Sequence, residues 1–367
     1  MNYWGITGTN GKTTCTWIFA EFLNACEGRK CGYITTVEVY DGKDRYYTGY
    51  TTPPLTQLKE IYARMEANGC TDCVMEVSSH AIHQNRTGDT VFSGGAFTNL
   101  SEDHLDYHKT MEEYFRVKLS FAEKIAAKSG SPYVVCTDGE NGAEMLEAVR
   151  KLPLSVLPVT RLEPAFDLSA LPLVGDYNQS NALTAAALSE AAGVPHETIQ
   201  AVIPTLKPRW GRLEYVENRA IAAKVYVDFA HTPDGLEKVL TAARGFCKGE
   251  LWTVFGAGGD RDPMKRPLMG AVASRIADRI VITSDNPRSE DPMAIIDAIV
   301  GGVGKLGSCE VVVEPDRRKA IEYALKEAKA DDVVIIAGKG HETTQEIKGV
   351  KYPFDDREIV RNYKQGE

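Results

Sequence analysis

The sequence predicts an α/β protein in which a P-loop domain precedes a Rossmann-like domain with a mainly parallel sheet, and three observations predict it. The chain opens on a strand, a glycine loop and a helix in immediate succession, "NYWGITGTNGKTTCTWIFAEFL". From about residue 221 onward, short apolar strands and amphipathic helices alternate one for one, the pattern of a parallel sheet covered by helices on both faces. Between these regions the rhythm changes at "PTLKPRWGRLE", which places a boundary near Pro208 and gives domains over 1–208 and 209–367.

Taken in order, "NYWGI" is a short strand. The following "KTTCTWIFAEFLNACEG" carries Ile18, Phe19, Phe22 and Leu23 at helical spacing before Gly28 stops it. The segments "CTDCVMEVSS" and "SGGAFTNL" are buried strands by their continuous apolar character, and "GDYNQSNALTAAALSEAAG" is a helix with an alanine face suited to close packing. After the boundary come strands at "AAKVYVDFA", "LWTVFGAGG", "DRIVITSD", "CEVVVEPD" and "DDVVIIAGKG". Helices at "PDGLEKVLTAARGF", "PLMGAVASRIA", "DPMAIIDAIVGGV" and "RRKAIEYALKEAKA" separate them.

Composition narrows the function. With 367 residues, 43% hydrophobic and 25% charged, the chain has material for more than one packed core, which excludes disorder and fibrous architecture. A net charge of -9 without any basic run speaks against nucleic acid and anionic membranes as partners. No apolar stretch reaches the roughly 20 residues of a membrane span and the first residues lack a signal-peptide pattern, so a cytoplasmic enzyme is expected. Of eight cysteines only Cys70 and Cys73 form a C-x-x-C, with no second pair at zinc-site spacing; buried reduced thiols are expected.

The opening loop departs from a strict Walker A pattern by one residue, since Ile6 stands where that pattern has glycine. Its chemistry is intact. Gly8, Thr9, Asn10 and Gly11 offer backbone to phosphate oxygens, Lys12 brings a point charge to the β and γ phosphates, and Thr13, followed by Thr14, can ligate magnesium. The first domain is therefore expected to be a P-loop ATPase domain that binds ATP. Elsewhere, Val74, Met75 and Val77 around Glu76 imply a buried carboxylate. His80 and His108 are expected in ordinary hydrogen-bonding roles, Asn178 and Asn181 can cap a helix, and Lys118 in "YFRVKLSFA" reads, by itself, as a snorkelling surface lysine.

The loop "TGTNGKTT" resembles that of the Mur ligase family, and the resemblance runs along nearly the whole chain: "TTPP", "MEVSSHA", "FTNLSEDHLDYH", "YFRVKLSFA", "LVGDYNQSNALTAAA", "GRLE", "VDFAHTPDGLEKVL", "FGAGGDRDPMKRPLMG", "SDNPRSEDP" and "AGKGHETTQ". It is strongest to the diaminopimelate-adding branch. The resemblance implies an ATP-dependent amide ligase working through an acyl phosphate, with magnesium held by Thr13, Glu76, His104 and Lys118, the last carbamylated by carbon dioxide into an anion that can ligate or orient the metal. It implies nucleotide contacts from Asn181, Arg212, Asp228 and His231, and catalytic roles for Lys12, Lys118, His104 and Arg212. Thr51, Thr52, Ser78 and Ser79 would meet the acceptor. Arg266, Asp285, Asn286, Arg288, Gly338 and Glu342 would form the amino-acid pocket, with Arg288 reading a distal carboxylate and Glu342 a distal ammonium.

The family ligases also carry an N-terminal domain of about a hundred residues that grips uridine diphosphate, whereas eleven residues precede Lys12 here. The expectation is that this domain is absent and that the acceptor is bound by its peptide end alone or with a partner replacing the domain. Two alternatives stay open: a ligase for a different, smaller acceptor, as in polyglutamate or folate-type relatives, with which Gly235 and the "TTQ" after Glu342 are compatible, or a nucleotide-binding subunit without catalysis. Retention of Lys12, Thr13, Glu76, His104, Lys118 and Arg212 together speaks against the last.

Overall fold

A computed structural model describes residues 1–139, 141–304 and 309–364, so the expected domain limit at 367 lies outside the described residues. The chain divides into two units, Met1–Lys207 and Pro208–Glu367. In the first, the elements run β1 (Asn2–Thr7), α1 (Lys12–Asn24), β2 (Cys31–Ile34), β3 (Val39–Tyr40), β4 (Arg45–Tyr46), α2 (Leu55–Ala67), β5 (Asp72–Glu76), α3 (Ser79–His83) and β6 (Gly94–Phe97). They continue with α4 (Leu105–His108), α5 (Met111–Ala126), β7 (Pro132–Cys136), α6 (Gly142–Val149), β8 (Ser155–Val159), α7 (Asp176–Ala191) and α8 (His196–Val202).

Eight strands form one sheet in the order β4-β3-β2-β5-β1-β6-β7-β8, parallel from β2 to β8. Because β1 lies between β5 and β6, the chain turns one way after β1 and the other way after β5. That leaves a crevice at the carboxyl ends of these three strands, where ligands of open α/β sheets bind. Helices cover both faces, which is why β1 and β5 carry no polar alternation. On one side Ile6, Val74 and Ala96 meet Phe19, Phe22 and the alanine face of α7 (Ala182, Ala185, Ala186); on the other, Met75 and Phe97 pack with Leu58, Ile61, Tyr114 and Phe121. The two-residue strands β3 and β4 pair antiparallel at the edge and are too short to leave a periodic signal.

The second unit contains β9 (Glu214–Tyr215), β10 (Lys224–Asp228), α9 (Pro233–Arg244), β11 (Leu251–Phe255), α10 (Lys265–Ile276), β12 (Arg279–Ile282) and α11 (Pro292–Val300). Then follow β13 (Glu310–Val313), α12 (Arg317–Glu327), β14 (Val333–Ala337), the hairpin β15 (Thr344–Ile347) with β16 (Val350–Pro353), and α13 (Asp356–Asn362). Its sheet has the order β13-β12-β11-β14-β10-β9, parallel except for β9, so the α/β reading of the sequence holds here as well. Asp228 ends β10, and the loops expected to carry His231, Asp285 to Arg288, and Gly338 and Glu342 follow the carboxyl ends of β10, β12 and β14. All eight cysteines are free; Cys26, Cys247 and Cys309 are only half-buried, against the expectation for these three. Among the described residues no helix is long and apolar enough to cross a membrane.

Candidate active site

In the first unit the glycine loop lies between β1 and α1. Gly8 and Gly11 have φ of 151° and 83°, and a Cβ at either would come within 1.9 Å of Thr98 Oγ1 or 2.2 Å of Asn181 Oδ1, so only glycine fits. Thr9 and Asn10, expected to offer amides to phosphate, donate them instead to Asn99 (2.9 Å each, to its O and Oδ1). Thr98 Oγ1 donates to Asn10 O at 2.7 Å. The loop is thereby pinned to the segment after β6, and Thr13 and Thr14 lie buried in the first turn of α1, the end of a helix that favours an anion. Lys12 Nζ folds back on Gly8 O (2.9 Å) and Thr9 O (2.7 Å). Asn181 is buried against Gly11. It does not cap α7, and Asn178 bonds back to Val174 O.

Glu76 ends β5 with 1% exposure. Its Oε1 accepts from Thr36 N at 2.8 Å, and no lysine, arginine or histidine pairs with it among the described residues. A buried carboxylate without a countercharge is costly, so the position suits a cation supplied from outside. Thr52 Oγ1 donates to Glu76 O (2.8 Å) and receives Ser78 N (3.0 Å), while Thr51 Oγ1 reaches Thr36 Oγ1 (3.0 Å). Ser78 caps α3. Thr51, Thr52 and Ser78 thus gather around the Glu76 end of β5, and Arg86, which the sequence reading did not single out, donates to Thr52 O at 3.0 Å.

Lys118 corrects its isolated sequence reading: it is 1% exposed on α5, not a surface side chain. Its Nζ stands 4.5 Å over the Tyr114 ring and no carboxylate pairs with it among the described residues. Burial first, and then the charge of Lys12, hold its ammonium well below the usual lysine range despite Asp103. The amine is therefore disposed to be neutral. Tyr114, one helical turn before it, places its hydroxyl 3.2 Å from Thr9 Oγ1 and within reach of the buried Ser79. The i, i+4 spacing of Tyr114 and Lys118 is the signal that could have revealed it.

His104 takes a left-handed conformation, φ 57°, beside Asp103 (3.4 Å). Burial, with Lys12 and Lys118 adding and Asp103 opposing, pushes its pKa down to about 3, so its imidazole is neutral. His80 lies 4.9 Å from His104 and 5.7 Å from His108, ring to ring. His108 departs from the expected hydrogen-bonding role. It is fully buried, stacked on Tyr114 at 5.0 Å, and both ring nitrogens lack a partner among the described residues.

Among the described residues no three His, Cys, Asp or Glu side chains form a metal cage. The ligands that the resemblance implies, a Thr13 hydroxyl, the Glu76 carboxylate and the His104 imidazole, would be a sparse, oxygen-rich set. Donors of those types would suit magnesium, which takes most of its ligands from phosphates and water, rather than a metal held by protein alone.

In the second unit, Arg212 stacks on Phe229 (Cζ 4.7 Å from the ring centroid). Asp228 ends β10 with both oxygens engaged by backbone, Leu213 N at 2.6 Å and Ala230 N at 2.7 Å; burial raises its pKa, with Arg212 opposing. His231 Nδ1 lies 2.8 Å from Phe229 O. The loops after β11, β12 and β14 bring the remaining expected residues together. Arg288 NH1 donates to Gly259 O (2.5 Å) and Arg266 NH2 to Gly258 O (3.4 Å), so two guanidinium groups bracket one two-residue stretch. Arg266 is also paired with Glu290 at 2.7 Å, and its buried Nε has no partner among the described residues. The hairpin fixes Arg288 at φ 51° through Glu346 O and Lys348 N. Asn286 Nδ2 donates to Glu342 Oε2 at 2.9 Å. Asp285 is buried beside Gly338, and although burial raises its pKa, Lys339 and Arg317 outweigh that and hold it low. Lys339, flanked by glycines in the sequence, gave no sign of being a buried residue.

Residues 6–167 match the Mur ligase middle domain and residues 211–340 the Mur ligase, glutamate ligase domain. The UDP-N-acetylmuramoyl-L-alanyl-D-glutamate--2,6-diaminopimelate ligase of Synechococcus elongatus is 40% identical over 97% of this chain and 75% of its own length. The enzyme of the same description from Bacillus cereus is 40% identical over 97% and 77%. A solved structure of a UDP-N-acetylmuramoyl-L-alanyl-D-glutamate--2,6-diaminopimelate ligase superposes with a TM-score of 0.62 at 30% identity, over 98% of this chain and 77% of that one.

Proposed function

This chain belongs to the Mur ligase family, whose members are ATP-dependent, ADP-forming ligases of acids with amino acids, and we propose that it joins meso-diaminopimelate to the glutamate carboxylate of a UDP-N-acetylmuramoyl-dipeptide. The observation that carries the amino-acid assignment is the convergence of Arg266 and Arg288 on Gly258 and Gly259, with Asn286 joining Gly259 to the Glu342 carboxylate. A zwitterionic side-chain end needs one group of each sign, and a planar guanidinium matches its carboxylate bidentately.

A carboxylate is a poor electrophile, so the reaction transfers the γ-phosphoryl group of ATP to the acceptor carboxylate. The amine then attacks the acyl carbon and phosphate leaves. Lys12 and the amides that open α1 would carry the β and γ phosphates, Asn181 the base, and Arg212, Asp228 and His231 the remainder of the nucleotide. Thr51, Thr52, Ser78 and Ser79 would hold the acceptor end. Thr13, Glu76, His104 and a carbamylated Lys118 would hold magnesium, which would supply charge neutralisation where anion meets anion.

Lys118 fits carbamylation. Burial lowers its pKa, which favours the neutral amine; that amine would attack the carbon of carbon dioxide, form an N–C bond and release a proton to solvent. A side chain with which no carboxylate pairs among the described residues would become an anion beside His104. The test is phosphate release from ATP and magnesium with the UDP-dipeptide acceptor and, in turn, meso-diaminopimelate, L-lysine and L-glutamate. Saturable turnover with meso-diaminopimelate alone is expected. Equal turnover with lysine would remove the amino-acid assignment.

A further inference from the structure

Lys339 is the least conspicuous charged residue in the second unit and one of the most confined. It follows β14, has 0% exposure, and spends its three ammonium protons on Glu342 Oε2 (2.8 Å), Asn286 Oδ1 (3.1 Å) and Thr344 O (2.7 Å). A buried ammonium is tolerated only when so satisfied. Asn286 is equally committed, its Oδ1 also receiving Glu346 N at 2.9 Å and its Nδ2 donating to Glu342 Oε2. Both bonds to Glu342 therefore fall on one oxygen. Among the described residues no group bonds the other, Oε1, on a side chain that is about a third exposed (32%).

We propose that Lys339 is a positioning residue for amino-acid selection: with Asn286 it anchors Oε2 of Glu342, so that Oε1 stands ready for the distal ammonium of the incoming diamino acid. This rests on the amino-acid pocket assigned above. Lys339 touches no substrate. Its compact ammonium serves three acceptors at once, which the flat, larger guanidinium of arginine does not reproduce in a site with no exposure.

The experiment compares the intact enzyme with Lys339→Met, Glu342→Gln and the double variant. KM is measured for meso-diaminopimelate, for 2-aminopimelate, which lacks the distal ammonium, and for ATP. In Lys339→Met the KM for meso-diaminopimelate should rise roughly 10- to 100-fold, the loss expected when a charged hydrogen-bond partner is misplaced. Preference over 2-aminopimelate should shrink, and KM for ATP should stay within about twofold of its starting value, because Lys339 bonds Asn286, Glu342 and Thr344 and none of the residues assigned to the nucleotide. The double variant should be no worse than Glu342→Gln, because both act through one carboxylate. Retained preference in Lys339→Met, a parallel rise in KM for ATP, or additive losses in the double variant would overturn the proposal. If Lys339→Met does not fold, Asn286→Ala removes the other anchor of Oε2 and must shrink the same preference, and an unchanged preference there overturns it too. Should Glu342→Gln itself keep the preference, the pocket assignment falls together with the proposal. Loss in Glu342→Gln with none in Lys339→Met refutes the role of Lys339 alone.

Discussion

Replacing Lys118 by methionine should make the protein more stable and almost inactive. The side chain is 1% exposed, its amine lies over the Tyr114 ring, and no carboxylate pairs with it among the described residues. Leaving a buried polar group without a full partner costs about 1–3 kcal/mol, while a near-isosteric swap to an unbranched thioether costs less than about 1.5 kcal/mol in packing. The net gain is about 1–2 kcal/mol. For a folding unit of the size of Met1–Lys207 this raises Tm by about 2–8 °C. Turnover should fall at least about 100-fold, comparable to losing one preorganised charge at a phosphoryl-transfer site. Bicarbonate should raise turnover of the parent protein and leave Lys118→Met unaffected. Urea and thermal unfolding without nucleotide, beside phosphate release, measure both effects. A variant that is less stable than its parent by more than about 1 kcal/mol, or that keeps more than about a tenth of the turnover, refutes the reasoning that burial of a neutral amine serves carbamylation.

Three further outcomes follow from other contacts. Tyr114→Phe keeps the ring under Lys118 but removes the hydroxyl near Thr9; KM for ATP should rise about 3- to 10-fold, with a stability loss of about 1 kcal/mol by urea titration. Asp72, fully buried, receives Arg29, Trp4 and Thr71, so Asp72→Asn should cost about 3–5 kcal/mol without altering KM. Burial raises the Asp72 pKa, but its bond to Arg29 and those to Trp4 and Thr71 outweigh this and hold it below the usual carboxylate range. The stability it contributes is therefore fully present above the unfolded carboxyl pKa of about 3.9 and lost as pH falls through the lower folded value; unfolding curves between about pH 2 and 6 should be steeper in pH for the parent than for Asp72→Asn. Arg288→Ala should reduce preference for meso-diaminopimelate over an analogue lacking the distal carboxylate by about 2–4 kcal/mol, read as the ratio of kcat/KM values.

What the sequence revealed and what it hid divide along physical lines. The strand, loop and helix at the start are local, and "GITGTNGKTT" announces them because phosphate binding demands glycine where Gly11 meets Asn181. The five parallel strands of the second sheet are legible for the same reason, being apolar runs between amphipathic helices. Burial of a charged side chain is not local. Nothing in "YFRVKLSFA" separates the exposed Arg116 from the buried Lys118 two residues on, and read by itself the segment placed Lys118 at the surface. Lys339 escaped altogether, because its partners come from the loops after β12 and β14. The β15–β16 hairpin was also missed, although Lys348 and Gly349 at φ 50° and 77° form the two-residue left-handed turn that such hairpins prefer. The lysine there masked a signal that asparagine would have shown.

The most direct test of the central claim is the mass of the product formed from ATP, magnesium, meso-diaminopimelate and UDP-N-acetylmuramoyl-L-alanyl-D-glutamate. The account predicts an acceptor heavier by one diaminopimelate less one water, formed one for one with ADP. ADP without that product, or a product carrying a different amino acid in preference when several are offered, would contradict it.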